Sequence, residues 1–156
     1  MPLLRPTSRF VPGARGTAPL LLLLIAIGVA RADENPGPRV VAEVLQAAFT
    51  DCDPAVLRPF LSRRLKTYIA LGDLGPESGY YGADQAALVL IRLFTGRTTT
   101  RFTLAPAPEH PGQAPIVLSS RWTFKGDGAD RGEAHLTFTL ASEAGAWRLR
   151  EIRALR

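Results

Sequence analysis

Acid–base chemistry has few candidate side chains in this sequence. His135 is the one histidine inside a predicted element, and as a general base it would need a carboxylate, such as Asp51 or Asp53, to orient its ring. Its strand alternates apolar and polar residues, and His135 belongs to the polar set. We therefore predict a solvated histidine, and the same for His110, which lies in a proline-rich loop. We assign no catalytic residue.

Tyrosine hydroxyls could orient a ligand instead. Tyr68, Tyr80 and Tyr81 lie close to one predicted loop, and where helices cover a sheet, a pocket between the two layers is a usual ligand site. An enzyme with such a pocket would also need a buried carboxylate with a raised pKa. Four aspartates are available, all in the sequence context of caps or turns: Asp51, Asp53, Asp73 and Asp84.

The sequence contains no recognisable metal-binding or cofactor-binding motif. The sequence has one cysteine, Cys52, and two histidines, which excludes a structural zinc site and an internal disulfide. Cys52 could be a reactive thiol, but a small buried side chain is the preferred interpretation. Phosphate-binding, nucleophile-elbow and dinucleotide-binding motifs are absent from the sequence, so we predict no metal and no cofactor.

Basic residues follow the polar side of the last three predicted strands. They could contact an anionic partner or form the seam of a homodimer, or they could simply pair with Glu133 and Glu151 across the strands, which we prefer. The residues are Arg121, Lys125, Arg148 and Arg150.

The N-terminal residues have the order of a signal peptide. Three arginines precede the apolar run Leu20–Val29, and Ala30 and Ala32 then form an A-x-A cleavage site. The run is shorter than the ~20 apolar residues that a membrane-spanning helix needs. We predict a signal peptide over residues 1–32, cleavage near Ala32, and export to the periplasm or the medium. The alternative is an uncleaved segment that anchors the chain in the membrane.

The net charge of the mature chain is close to zero. The sequence carries 19 Lys and Arg against 14 Asp and Glu, but four of the arginines and none of the acids precede Asp33. The remaining 15 cations and 14 acids leave +1. We predict no nucleic-acid binding, because such binding needs a clustered excess of cations. We assign residues 33–38 to a flexible leader and residues 39–156 to a single domain.

Three consecutive antiparallel strands are predicted between Ile116 and Leu155. Apolar and polar residues alternate with a period of two, which predicts a sheet with one apolar and one solvated face. The apolar set is Leu118, Ser120, Trp122, Phe124, Ala134, Leu136, Phe138, Leu140, Trp147 and Leu149. This apolar face must be covered, and the upstream elements are the predicted cover.

Upstream, the spacing predicts two full helices and a short one. An apolar stripe from Val41 to Phe49 predicts a helix over residues 39–50. Asp53 is a good N-cap for a short helix with Val56, Leu57, Phe60 and Leu61 on its buried face. The third helix spans residues 83–94, with Ala87, Leu90, Ile91 and Phe94 as its stripe. Strands are predicted where Leu65, Thr67, Ile69 and Leu71 alternate with polar residues, at Tyr80-Tyr81, and where Thr100, Phe102 and Leu104 share a side.

Several packing positions have the spacing of a known family. They are Ala48-Phe49, Asp53, Leu57–Phe60, Tyr81-x-x-x-Gln85-Ala86, Leu90, Phe94, Phe102 and Trp147-x-Leu149-x-x-Ile152. On these residues the chain resembles the exported bacterial domain-of-unknown-function family 4783. More broadly, it resembles the cystatin-like, or nuclear-transport-factor-2-like, α+β cone, in which helices pack on one face of a curved antiparallel sheet. The resemblance implies a fold and no activity.

Three functions stay open from the sequence. The first is a non-enzymatic exported domain that binds an unknown small molecule or protein, with a ligand pocket lined by Tyr68, Tyr81, Phe94, Phe102 and Trp122. The second is an isomerase- or cyclase-like enzyme with its pocket between helices and sheet. The third is a structural module that dimerises through the exposed sheet face. A buried polar cavity would favour the second over the first, and a solvated face without a cavity would favour the third.

Overall fold

The computed structural model describes residues 36–109, 112, 115–128 and 130–155. The predicted signal peptide over residues 1–32 and residues 33–35 of the leader lie outside the described residues, as does His110. Among the described residues, no helix is long and apolar enough to cross a membrane.

The elements occur in the predicted order. Within the described residues, the two α-helices are α1, Pro38–Asp51, and α2, Ala83–Phe94, and two short 3-10 helices span Pro54–Phe60 and Gly72–Leu74. The strands are β1 (Thr67–Ala70), β2 (Gly79–Tyr81), β3 (Arg97–Leu104), β4 (Ile116–Gly126), β5 (Arg131–Glu143) and β6 (Ala146–Leu155).

The six strands form one sheet in the order β2-β1-β6-β5-β4-β3. The predicted meander is confirmed, since β4 pairs antiparallel with β5 and β5 with β6. One pair departs from the expected antiparallel sheet: β1 runs parallel to β6, with Tyr68 opposite Glu151. Sequence periodicity within β1 and β6 carries no information about which strands pair, so this parallel contact could not be predicted.

Helix ends follow the predicted local chemistry. Pro38 opens α1, where a missing N–H costs no hydrogen bond. Asp53 caps the first 3-10 helix by accepting a hydrogen bond from the backbone N–H of Ala55, at 3.0 Å. Cys52 lies between the two helices with φ 54°, the left-handed conformation that commonly ends a helix. Helix α1 therefore ends at Asp51, and the 3-10 helix begins at Pro54.

All ten residues of the predicted apolar set on β4, β5 and β6 are buried. They face α1 and α2, and the opposite face of the sheet, which we call the open face, carries the polar residues of the same strands. Period-two alternation is enough to divide a strand between core and solvent, which is why this part of the prediction is confirmed in detail.

Three stretches bury other residues than expected. In α2, Ile91 is 48% exposed and Leu93 is fully buried, because the helix is apolar on nearly all sides and the sequence does not define its inner face. Val56 is 39% exposed because it lies on a 3-10 helix, which has a period of three. Leu65 is 51% exposed because it precedes β1 and is not part of the strand.

In β3 a bulge changes the alternation. The register with β4 shifts between Thr99 and Arg101, so Thr99 and Phe102 face the helices and Thr100 is exposed. A bulge places one extra residue in the strand, and a strict period of two therefore put Thr100 on the wrong face.

Candidate functional site

An aromatic cluster fills the space between the helices and the sheet. Phe49 of α1 stacks on Phe102 with ring centres 4.6 Å apart. It makes edge contacts with Phe94 at 5.0 Å and with Trp122 and Phe138 at 5.4 Å. All five rings are buried, and Phe49 has no exposed surface. Rings at these separations are in van der Waals contact, so this interior is a packed core.

The polar atoms beside this cluster have partners. The indole Nε1 of Trp122 donates a hydrogen bond to Thr99 Oγ1 at 2.8 Å, and Thr99 Oγ1 donates to the carbonyl of Phe49 at 2.5 Å. The half-buried thiol of Cys52 lies 3.2 Å from the same Oγ1. One threonine hydroxyl thus joins α1 to β3 and β4, and the indole N–H is not left available to a ligand.

The five residues of the predicted ligand pocket do not meet. Phe94, Phe102 and Trp122 come together in the aromatic cluster, but Tyr68 lies on the open face. There it contacts Tyr80, with ring centres 4.9 Å apart, and the Arg153 guanidinium, 5.0 Å from its ring centre.

Tyr68 was predicted to line an interior pocket, and the structure places it on the open face instead. Thr67 and Ile69 are buried towards the helices, so the residue between them must face the other way. Tyr81 is partly buried against the core, and its hydroxyl donates to the carbonyl of Glu77 in the loop before β2. A ligand site made by Tyr81 and the three aromatic residues of the cluster stays a prediction.

The four candidate aspartates are all exposed. Asp53 is a helix cap, and Asp84 forms an ion pair with Arg58, 2.7 Å from its Nη2. Asp51 ends α1, and Asp73 lies in the second 3-10 helix. None of the four is buried in a cavity, as a catalytic carboxylate of such an enzyme would be.

His135 lies on the open face, as its alternation predicted. It is paired across strands with Arg121, and its Nε2 is 3.3 Å from Glu133 Oε1, which also lies 3.6 Å from Arg121 Nε. Asp51 and Asp53 lie on the helix side of the sheet, so neither can orient the imidazole. No group of three or more His, Cys, Asp and Glu able to hold a metal ion occurs among residues 36–109, 112, 115–128 and 130–155.

A surface groove separates α1 from the segment after β3, and sequence reasoning missed it. Its volume is about 560 Å³, and it is lined mainly by Ala42, Gln46, Thr50, Leu104, Ala105 and Ala107. Arg39 and Glu109 stand at its rim, 3.8 Å apart. The two sides of the groove are far apart in the sequence, so no local signal could reveal it.

Gln46 forms one wall of this groove and protects the edge of the sheet. Its Nε2 donates to the carbonyl of Phe102 at 3.0 Å, and its Oε1 accepts from the N–H of Leu104 at 3.2 Å. A neighbouring strand would use the same two backbone groups. The side chain of Gln46 therefore closes part of β3, which is an outer strand of the sheet.

A second hollow of about 420 Å³ lies at the start of α2. Arg58 and Arg63 line it together with the first residues of the helix. The ion pair between Arg58 and Asp84 crosses this region, so the positive charge there is already partly neutralised.

The open face carries the basic residues that were expected to lie together. Arg121 has Glu133 as its partner, and Arg153 pairs with Glu151. A hydrogen bond and charge attraction from Glu151 raise the pKa of Arg153. Arg148 instead donates to the carbonyl of Pro59 at 2.8 Å. Cross-strand charge pairing thus accounts for part of the basic set, while Lys125 has no acidic partner in the described part of the chain.

No protein-family model and no curated protein matches the sequence. Solved structures do match the fold. A DUF4783 family protein from Bacteroides uniformis has a TM-score of 0.59 at 12% identity, over 72% of this chain and 93% of that one. A putative SnoaL-like polyketide cyclase from Mesorhizobium loti gives 0.54 at 10% identity, over 74% and 92%. The NTF2-like design Rd1NTF2_04 with long sheet gives 0.54 at 11% identity, over 76% and 100%.

These matches confirm the fold and say nothing about activity. The chain is an α+β cone of the nuclear-transport-factor-2-like kind, with structures of the DUF4783 family among those that it resembles. At 10 to 12% identity no residue role can be transferred.

Proposed function

We propose that this protein is an exported, non-enzymatic binding module that engages its partner through its outer surface. The packed interior carries this proposal. A ligand pocket between helices and sheet would need roughly 300–1,000 Å³, and here that space is filled by Phe49 and the rings around it. The two concave sites of about 560 and 420 Å³ lie on the outer surface.

The likeness to a protein whose name reads putative SnoaL-like polyketide cyclase supports a second candidate, an isomerase- or cyclase-like enzyme. Such an enzyme needs an acid or base inside a cavity. The four aspartates that could serve are exposed, and His135 is on the face opposite the helices. The binding module is therefore the better supported of the two.

The open face is the larger of the surfaces available to a partner. The six strands contain 4, 3, 8, 11, 13 and 10 residues, 49 in all. Each residue covers about 3.3 Å along the strand and about 4.8 Å across the sheet, so the 49 residues cover roughly 780 Å². This area is close to the ~800 Å² that each partner contributes to a standard protein–protein interface.

The test is photo-crosslinking in an exporting host. A photoreactive amino acid replaces Val117 or Leu155 on the open face, which are 61% and 55% exposed, or Leu88 on α2, which is 56% exposed and serves as the matched control. We expect a discrete protein adduct from the two open-face positions and none from Leu88. Adducts of equal yield at all three positions, or none at any, would contradict a binding module that uses this surface.

A further inference from the structure

The open face has an excess of positive charge that the near-neutral net charge of the chain conceals. It carries seven cations, Arg101, Arg121, Lys125, Arg131, Arg148, Arg150 and Arg153, against three acids, Glu133, Glu143 and Glu151. Its net charge is therefore +4. Residues 33–156 together carry +1, so the rest of this range carries −3. The charges of the molecule are separated by position.

The excess is concentrated where β3, β4 and β5 lie side by side. Lys125 and Arg131 occupy directly facing positions of β4 and β5. Like charges at facing positions destabilise a sheet. Glu133 is engaged by Arg121 and His135, and Asp127 and Asp130 lie in the turn beyond the strand ends. Folding alone gives no reason for the juxtaposition of Lys125 and Arg131, whereas an anionic partner would relieve it.

The same face exposes apolar surface between its cations. Tyr80, Val117 and Leu155 are 68%, 61% and 55% exposed, and six of the seven cations are arginines. Tyr and Arg are enriched at the centres of protein interfaces, and the Arg fork matches a carboxylate with two hydrogen bonds. A simple polyanion would use the cations but not the apolar side chains. This mixture fits a protein partner with an acidic surface.

We propose that the open face is the docking site for an acidic protein surface, with Arg101, Lys125 and Arg131 as its charged anchor. This inference rests on the proposed binding function and adds the chemistry of the partner. A second copy of the chain is a poorer occupant, because two faces of +4 repel each other when they approach.

The test compares two charge-reversed variants that have the same net charge. In the first, Arg101, Lys125 and Arg131 are each replaced by Glu. In the matched control, three exposed cations outside the strands, Arg63, Arg64 and Arg92, are replaced by Glu. Circular dichroism and the melting temperature verify that both variants are folded.

The probe is fluorescent poly-L-glutamate, with binding followed by anisotropy at 50 and 300 mM NaCl. We expect the wild-type protein to bind and to weaken with salt, since exposed charges are screened. The open-face variant should bind at least tenfold more weakly than the wild type, and the control variant within about twofold of it.

Equal loss in both variants would overturn the proposal, because net charge rather than position would then decide binding. Binding of heparin without binding of poly-L-glutamate would overturn the proposal in favour of a polysaccharide partner. A wild-type dimer that is lost in the open-face variant and kept in the control variant would overturn it in favour of self-association. If open-face crosslinks form while poly-L-glutamate binding is the same in all three proteins, the acidic partner is wrong and the binding module stands.

Discussion

At the scale of single residues, Thr99 connects the parts of the interior. Its hydroxyl accepts from the indole of Trp122, donates to the carbonyl of Phe49 and lies beside the thiol of Cys52. A buried donor without a partner costs free energy, so this one hydroxyl allows two polar groups to lie next to the aromatic cluster.

Replacing Thr99 by Val removes the hydroxyl and nearly preserves the shape of the side chain. We expect the free energy of unfolding to fall by about 1–3 kcal/mol, because Trp122 Nε1 loses its acceptor. Urea unfolding followed by tryptophan fluorescence measures the change. The control is Thr98→Val, at an exposed position of the same strand, for which a change within about 0.5 kcal/mol is expected. Equal effects at the two positions would show that the hydroxyl of Thr99 is not a structural link.

At the scale of elements, the sequence predicted strands better than helix faces. Alternation in β4, β5 and β6 placed all ten residues of the predicted apolar set correctly, because a strand has two faces and a period of two separates them. The set did not include Ile152, which is fully buried because the register between β5 and β6 shifts after Leu149. Helix α2 carries apolar residues on nearly all sides, so its sequence does not define which side is buried. Tertiary contacts bury Leu93 and leave Ile91 exposed. Tyr68 was misplaced in a pocket although its own strand periodicity put it outside.

A pair of substitutions in α2 tests that orientation. Leu93→Ala should lower the free energy of unfolding by about 2–5 kcal/mol, the usual cost of truncating a fully buried leucine. Ile91→Ala should change it by less than about 1 kcal/mol, since Ile91 is 48% exposed and Ala is a better helix former. Chemical denaturation gives both values, and the reverse order would contradict the position of α2 over the sheet.

The edge of the sheet depends on an element-scale contact that no local pattern predicts. Gln46 and the backbone of β3 are more than 50 residues apart, and their pairing follows only from the packing of α1 beside the strand. The groove that Gln46 lines was missed for the same reason. Long-range contacts of this kind are decided by the fold as a whole.

Gln46→Glu tests whether the amide protects β3. A carboxylate can still accept from Leu104 but cannot donate to the carbonyl of Phe102, so we expect a loss of about 1–3 kcal/mol in the free energy of unfolding at pH 7. Faster hydrogen exchange at the N–H of Leu104, which Gln46 accepts from, should accompany it. The reciprocal control on the same helix, Glu43→Gln at an exposed position, should leave both quantities nearly unchanged. Identical exchange rates in the wild type and Gln46→Glu would contradict the edge role.

At the scale of the whole molecule, a packed interior and a charged outer face support the proposal of a binding module that acts through its surface. The aromatic cluster occupies the space in which an enzyme of this shape would need a cavity. The open face, by contrast, presents cations and apolar side chains over an area large enough for a stable complex. The sequence indicated both features separately, because the aromatic residues and the basic strand residues can be identified from their spacing. It could not show how closely the aromatic rings pack against one another, because that depends on contacts between residues distant in the sequence.

Native mass spectrometry of the protein, purified gently from an exporting host, tests whether the module acts through its outer surface or through a bound small molecule. We expect a peak at the mass of the processed polypeptide alone, because aromatic rings fill the space between the helices and the sheet, and an intact mass that places the N-terminus near Ala32. A stoichiometric small-molecule adduct that survives purification and disappears on unfolding would contradict the account. It would mean that a small molecule is held in an opened interior or in the groove beside α1, and that the module acts through a pocket after all.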